Sequence, residues 1–365
     1  MKTAAAIKRA SQQARNAMRE LDAASVAALV EMYQGAADQV RAAILSRVDA
    51  SDTVPQHQLR ELLRQVEDIV AGLGRQRDEL LASQIEQAAT LGVRPYTAQG
   101  VGAVGGSQAV LESGAAQRVQ QEAVRFVLEF TAADGLALSG RLWRLDQGAK
   151  EVLARAIGQA VVQGWSASKA AADLIYSGKP IPADIAARIA GAKAGQLLRA
   201  ADLLTNEGGE IWKADRVMRT EINRAHGEAF MAGGEKTPGF AGWRYLLSPR
   251  HPAPDICDLL ATQNLHGLGP GVYPTREQTP WPAHPNTLSF VEMVFLEEVT
   301  DADRAGKETE LQALARLAPD VRAGALGQTK AEYFDQGLMT KGMIRSPMRA
   351  VRARLERQGK LQVET

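Results

Sequence analysis

The sequence predicts a mainly α, multi-part helical protein with a small irregular α+β lobe around residues 238–295. Three observations carry that expectation. Alanine supplies about one residue in six and aromatics only 5%, a composition that suits close-packed helices better than a large sandwich or barrel. Apolar residues recur at steps of three and four over long stretches, as on one face of a helix. Between Pro238 and Phe290 that rhythm gives way to clustered prolines and glycines, three of the five histidines, and short apolar runs such as WRYLL and LSFVEMVF.

Taken in order, Val26, Leu29, Val30, Tyr33, Ala37, Val40, Ile44 and Val48 mark an amphipathic helix over about 22–50. The break SDTVP supplies Ser51 and Asp52 as caps and Pro55 for a first turn, and Leu59, Leu62, Leu63, Val66, Ile69, Val70 and Leu73 start a second helix. Residues 1–90 therefore read as an N-terminal helical hairpin. Gly92, Gly100, Gly102, Gly105 and Gly106 would each cost a helix about 1 kcal/mol relative to alanine, so 91–114 reads as a glycine-rich linker or arm. Helical signal returns from 115 to 232, interrupted at SGKPIPAD, where Pro180 and Pro182 stop one helix and Asp184 caps the next. After the irregular lobe, 296–365 reads as a C-terminal helical segment ending in a basic tail, with Lys341, Arg345, Arg349, Arg352, Arg354, Arg357 and Lys360 against Glu356 alone.

The 365 residues suffice for two or three modules, and 45% hydrophobic content is enough to bury cores. With 43 Lys+Arg against 42 Asp+Glu the formal net charge is +1, so any charge-driven contact must be local. The single cysteine, Cys257, excludes an internal disulfide framework and points to a reducing compartment. Lys8 and Arg9 interrupt the first residues before a signal-peptide core develops, and no apolar run approaches the ~18–20 residues of a membrane span. We expect no membrane partner, and assembly in a cytoplasm.

Candidate sites fall in three places. The helix RVMRTEINRAHGEAF carries an apolar stripe of Met218, Ile222, Ala225 and Ala229, with Asp215 and Arg219, and Arg224 and Glu228, at pairing distance along it. That is a structural pattern; no partner at a diagnostic spacing makes Glu221 or His226 a catalytic group. The segment SPRHPAPDICDLLATQNLHGLGPGVYPTREQTPWPAHPN holds His251, Asp255, Cys257, Asp258, His266 and His284, all able to ligate a metal. His251, Asp255, Cys257 and His284 make the best zinc set. The plainer reading has the same residues capping turns and satisfying buried groups. Cys257 and His284 also form a conceivable nucleophile and base. HGLGPGVYP reads as a tight turn rather than a phosphate cradle, because Pro270 interrupts it and no helix start follows. In the tail, Arg345, Arg349, Arg352, Arg354 and Arg357 are candidate nucleic-acid contacts along a phosphate backbone, or simply a solvated face.

Together, IGQAVVQGWSASKAAADL, then RVMRTEINRAHGEAF with Arg219, Thr220, Glu221 and Arg224, then RHPAPDICD leading through GLGPGVYP to PAHPN with Pro285 and Asn286, resemble the phage head morphogenesis family, the Mu F-like minor capsid proteins. The resemblance runs from about Leu153 to Phe290, with an echo in ALGQTKAEYFDQGLM, and implies a head morphogenesis domain over 115–295. It implies a few-copy virion component inside the head near the portal, assembled in the host bacterial cytoplasm and needed for head assembly, DNA packaging or delivery. Its partners would be portal protein, major capsid or scaffolding protein, and packaged phage DNA. It would not be an enzyme and would need no cofactor. Relatives carry several cysteines and a histidine in the loop, suggestive of zinc; here Cys257, His251 and His284 remain, with Asp255 as a substitute. Two alternatives stay open: a metal-dependent hydrolase using the His251, Asp255, Cys257 and His284 loop, and a DNA-binding protein acting through residues 341–360.

Overall fold

The structure, a computed structural model, describes residues 2–361 apart from 49, 51–52, 55, 107–108, 133, 163–191, 286 and 288. The expected caps Ser51 and Asp52, Pro55, the SGKPIPAD stop, most of IGQAVVQGWSASKAAADL, and Asn286 lie outside the described residues.

The protein is mainly α, with thirteen α-helices among the described residues and one small antiparallel sheet in the irregular lobe. No helix described is long and apolar enough to cross a membrane. The first helix, α1, runs Lys2–Leu45 and the second, α2, Gln56–Val93. Helix α1 starts twenty residues earlier than its large apolar residues suggest. Ala6, Ile7, Ala10, Ala14 and Met18 are all buried and continue the stripe, but mostly in alanine, whose small side chain makes a weak periodic signal.

The expected linker is folded. A 3-10 turn at Arg94–Tyr96 leads into α3 (Ala98–Gly102), and Tyr96, Val101 and Leu111 are buried. Glycines there serve close approach rather than flexibility: a Cβ at Gly92 would run into the His226 carbonyl, and one at Gly100 into that of Arg94. Further along come α4 (Ser113–Glu129), α5 (Leu138–Val162), α6 (Ala194–Asp202) and α7 (Glu210–Gly234).

The chain gathers into two compact units, neither contiguous in sequence. Their limits do not follow the expected divisions at 90, 114 and 295, because α1, α2, α4 and α7 each contribute to both. The unit built from 17–88 and 124–225 holds the α1–α2 hairpin and α5 packed on α6. Strand β1 (Thr53–Val54), in the hairpin turn, pairs antiparallel with β2 (Ala192–Lys193). Inside this unit the Arg77 side chain, 3% exposed, bonds Asp78 at 2.6 Å and Asp146 at 2.9 Å. Tyr33 lies against the same guanidinium, and burial pushes its hydroxyl up to about 12. A buried cation satisfied by two carboxylates thereby pins α1, α2 and α5 in one register.

The second unit comprises 1–16, 89–123 and 226–365. Its sheet has the order β4-β3-β5, all antiparallel, with β3 at Phe240–Leu246, β4 at Val272–Tyr273 and β5 at Phe290–Phe295. Trp243, Tyr245, Tyr273, Val291 and Met293 of these strands pack with Tyr96, Phe230, Ile7 and Cys257 in one apolar core. Helix α8 (Ile256–Thr262) leaves β3 through a proline-stiffened loop. Four short helices follow, α9 (Asp301–Ala305), α10 (Glu310–Arg316), α11 (Pro319–Leu326) and α12 (Gln328–Asp335), and the chain closes with α13 (Met348–Arg357). Thr300 and Thr309 cap α9 and α10 with reciprocal bonds to Asp303 and Gln312. Leu259, Leu314, Leu326, Ile344, Val351 and Leu355 form a second core in the same unit.

Candidate functional site

The irregular lobe brings its chemistry to the first turn of α8. Asp255 is the N-cap: its Oδ1 accepts from the Cys257 amide at 2.6 Å, while Asp258 Oδ2 accepts from the Asp255 amide at 2.8 Å. This reciprocal cap contributes about 1 kcal/mol and fixes where the neighbouring side chains point. Cys257 is fully buried, and its sulfur lies 3.0 Å from the Tyr245 hydroxyl, 3.2 Å from His284 Nε2 and 3.7 Å from Thr287 Oγ1.

His284 links the loop after β4 to this turn. Its Nδ1 donates to the Pro285 carbonyl at 2.9 Å, which leaves Nε2 facing both Cys257 Sγ and, at 3.1 Å, Asp255 Oδ2. An unprotonated Nε2 would set its lone pair against the carboxylate, so the space between these three atoms calls for positive charge: a second ring proton or a metal ion. The hydrogen bond with Cys257 is the main reason the imidazole is pushed up to about 9; burial opposes it, and the Pro285 carbonyl and the Cys257 and Asp255 charges assist. Burial and the adjacent sulfur hold the Tyr245 hydroxyl above the ordinary phenol range.

The four expected zinc ligands form two overlapping groups rather than one tetrahedron. Asp255, Cys257 and His284 present donor atoms within 4.8 Å of one another, and so do His251, Asp255 and Asp258. His251 goes with the second group because its Nε2 donates to Asp258 Oδ2 at 2.9 Å and stands 3.8 Å from Asp255. The oxygen, sulfur and nitrogen of Asp255, Cys257 and His284 fit three corners of a zinc site, with His284 Nε2 freed for the metal by the bond from Nδ1 to Pro285. Zinc bound there would tie α8 to the loop carrying His284 and act as a Lewis acid on a ligand at the fourth corner. As a nucleophile Cys257 is poorly placed, because its sealed sulfur offers a substrate no approach. His266 stands edge-on to Tyr273, in neither group.

The turn HGLGPGVYP is held as the composition suggests. Gly267, Gly269 and Gly271 all have positive φ, and Asn264 Oδ1 accepts from the amides of Gly267 and Gly269.

Along α7 the pairings are structural. Arg219 bonds Asp215 at 2.9 Å and Asp22 at 3.0 Å, and the Thr220 hydroxyl donates to the Arg216 carbonyl. Glu221, fully buried, accepts from Arg141 at 2.6 Å and Arg224 at 3.1 Å, and the Arg224 guanidinium stacks on Phe130 at 3.7 Å. Further on, His226 stacks parallel to Phe230, and Gly227 lies so close to the Trp281 indole that a Cβ would collide with it. Tyr245, Thr287 and Trp281 complete these surroundings but carry no spacing that would have flagged them.

In the tail, Val351 and Leu355 bury α13 against the second core while Arg345, Arg349, Arg352, Arg354 and Arg357 remain exposed. Arg345 stands 4.0 Å from the buried Glu310 and Arg352 3.9 Å from the half-buried Glu356, both at the outer limit of an ion pair. Comparison of the chain with protein-family models, with curated proteins and with solved structures found no match.

Proposed function

We propose that this chain is a minor capsid protein of phage heads, of the Mu F-like head morphogenesis class. It sits inside the head near the portal, binds portal protein and major capsid or scaffolding subunits, and supports head assembly and DNA packaging or delivery. Its work is binding, not turnover. The observation that carries the reading is the convergence of stretches far apart in sequence: the second half of α7, the RHPAPDICD turn and the PAH approach to His284 build one body around Cys257 and Trp281. They hold the HGEAF end of the second stretch and the loop stretch of those on which the family resemblance rests. The test is co-purification with portal protein and detection in mature particles; absence from virions, with filled heads formed without it, refutes the reading.

A second role is favoured by α13. A helix anchored by two apolar residues and presenting arginines outward suits a phosphate backbone, with salt-dependent affinity and no base readout. Packaged DNA is the ligand this role implies.

A further inference from the structure

The basic surface of α13 does not end with the helix. The Arg354 guanidinium comes within 3.4 Å of where a Cβ on Gly342 would stand, and next to that glycine Lys341 is exposed. At the turn HGLGPGVYP, a Cβ on Gly267 would stand 3.7 Å from the Cβ of Lys307, which is exposed as well. His266, half-buried and edge-on to Tyr273, feels the charge of both lysines. We propose that His266, Lys307 and Lys341 form a phosphate subsite that extends the arginine face of α13 and tightens its hold on duplex DNA as pH falls. This rests on the reading of α13 as a DNA-binding helix.

Charge balance fixes the sign of the ligand. The carboxylates nearest these residues are already engaged: Glu308 bonds Arg316 at 2.7 Å, Asp301 bonds Arg304 at 2.8 Å, and Asp303 caps α9. Glu310 is buried and faces Arg345 at 4.0 Å. Neither Lys307 nor Lys341 has an ion pair among the described residues. The kind of polyanion follows from what the surface lacks. A partner protein would need an apolar or aromatic anchor, and a single strand would need an aromatic platform for its bases. The large exposed hydrophobics among the described residues all lie outside these segments, Leu296 being the last in sequence. A duplex backbone needs neither anchor nor platform. The response to pH comes from His266. Burial first, then the charges of Lys307 and Lys341, hold its imidazole below the ordinary histidine range. Of the other charges around the ring, Arg345 and Glu310 act on the Tyr273 hydroxyl beside it. A phosphate seated between the lysines offsets their charge and accepts a hydrogen bond from the imidazolium. Binding then takes up a proton, so affinity rises as pH falls through the histidine range.

The full-length protein is titrated into a short rhodamine-labelled DNA duplex in phosphate-free buffer, and anisotropy is recorded from about 50 to 200 mM salt. Lys307→Gln with Lys341→Gln is expected to lower the salt slope by about 2. Between about pH 7.5 and 5.5, wild-type binding should tighten at least about threefold more than binding by His266→Gln. On the wild-type protein the His266 ring signal in NMR spectra should titrate at higher pH with the duplex than without it, a readout that needs no variant to fold. A slope indifferent to the two lysines, a pH response preserved in His266→Gln, or an unmoved His266 titration overturns the proposal and leaves binding through the α13 arginines standing. No binding by the wild type removes the α13 reading and this subsite together. Poly-glutamate that competes as well as the duplex makes an acidic protein the occupant, and overturns the proposal too.

Discussion

Acidification should find a weak point at His226. The residue is partly accessible, yet its Nε2 is sealed from solvent without a hydrogen-bond partner. Burial is the main reason its imidazole is lowered to about 4, and the positive charge of Arg15 adds to the effect. The unfolded chain takes up this proton near pH 6.5, the folded chain only near 4. The neutral ring therefore favours folding fully above about pH 6.5, and that contribution drains away as pH falls through about 4. At about 1.36 kcal/mol per pH unit of separation, the loss is on the order of 3 kcal/mol, less whatever the accessible part of the residue recovers. His226→Phe keeps the flat ring stacked on Phe230 and removes the titration. Urea unfolding followed by tryptophan fluorescence at pH 7 and at pH 4 should show the wild type losing about 2–3 kcal/mol more than the variant. If the two proteins lose stability in parallel, within about 0.5 kcal/mol, the assignment of a buried neutral histidine is wrong.

Other perturbations test other parts of the molecule. Arg77→Met leaves Asp146 and Tyr33 without their shared cation and should destabilise the unit holding the hairpin by about 3 kcal/mol in urea; a loss under about 1 kcal/mol would show the network to be idle. Gly227→Ala forces a methyl into Trp281 and should cost about 1–3 kcal/mol, with Trp281→Ala recovering part of the loss in a double-mutant cycle; strictly additive effects would contradict the contact. Replacing Arg349, Arg354 and Arg357 by alanine should flatten the salt dependence of DNA retention by a slope of about 3, measured on double-stranded DNA across salt concentrations. An unchanged slope removes the tail from the DNA-binding role.

Long-range placement was legible where residues advertise themselves and silent where they do not. Periodicity found α2 and the later part of α1 through Leu29, Tyr33, Val40 and Leu62, whose large apolar side chains repeat on one face. It missed the first twenty residues because alanine there does the packing. The glycine-rich stretch misled for a related reason: glycine signals flexibility or close approach alike, and only Tyr96 and Leu111, buried by distant partners, decide between them. At the candidate site, residue chemistry singled out Asp255, Cys257 and His284. It could not separate His251 from them, since the division depends on Asp258 being taken up in a helix cap. Tyr245 entered unseen because a strand residue twelve positions away meets the sulfur only through the fold.

The unit holding the irregular lobe is assembled from chain ends made far apart in time. Its first segment, 1–16, leaves the ribosome about 210 residues before the segment beginning at His226, which supplies its three-stranded sheet. At roughly 5–20 residues per second that is a wait of about 10–40 s. Through that interval Ile7, which packs with the strands in the finished core, has no sheet to receive it. Until those strands arrive, the first turns of α1 stand open to capture by chaperones or to premature association.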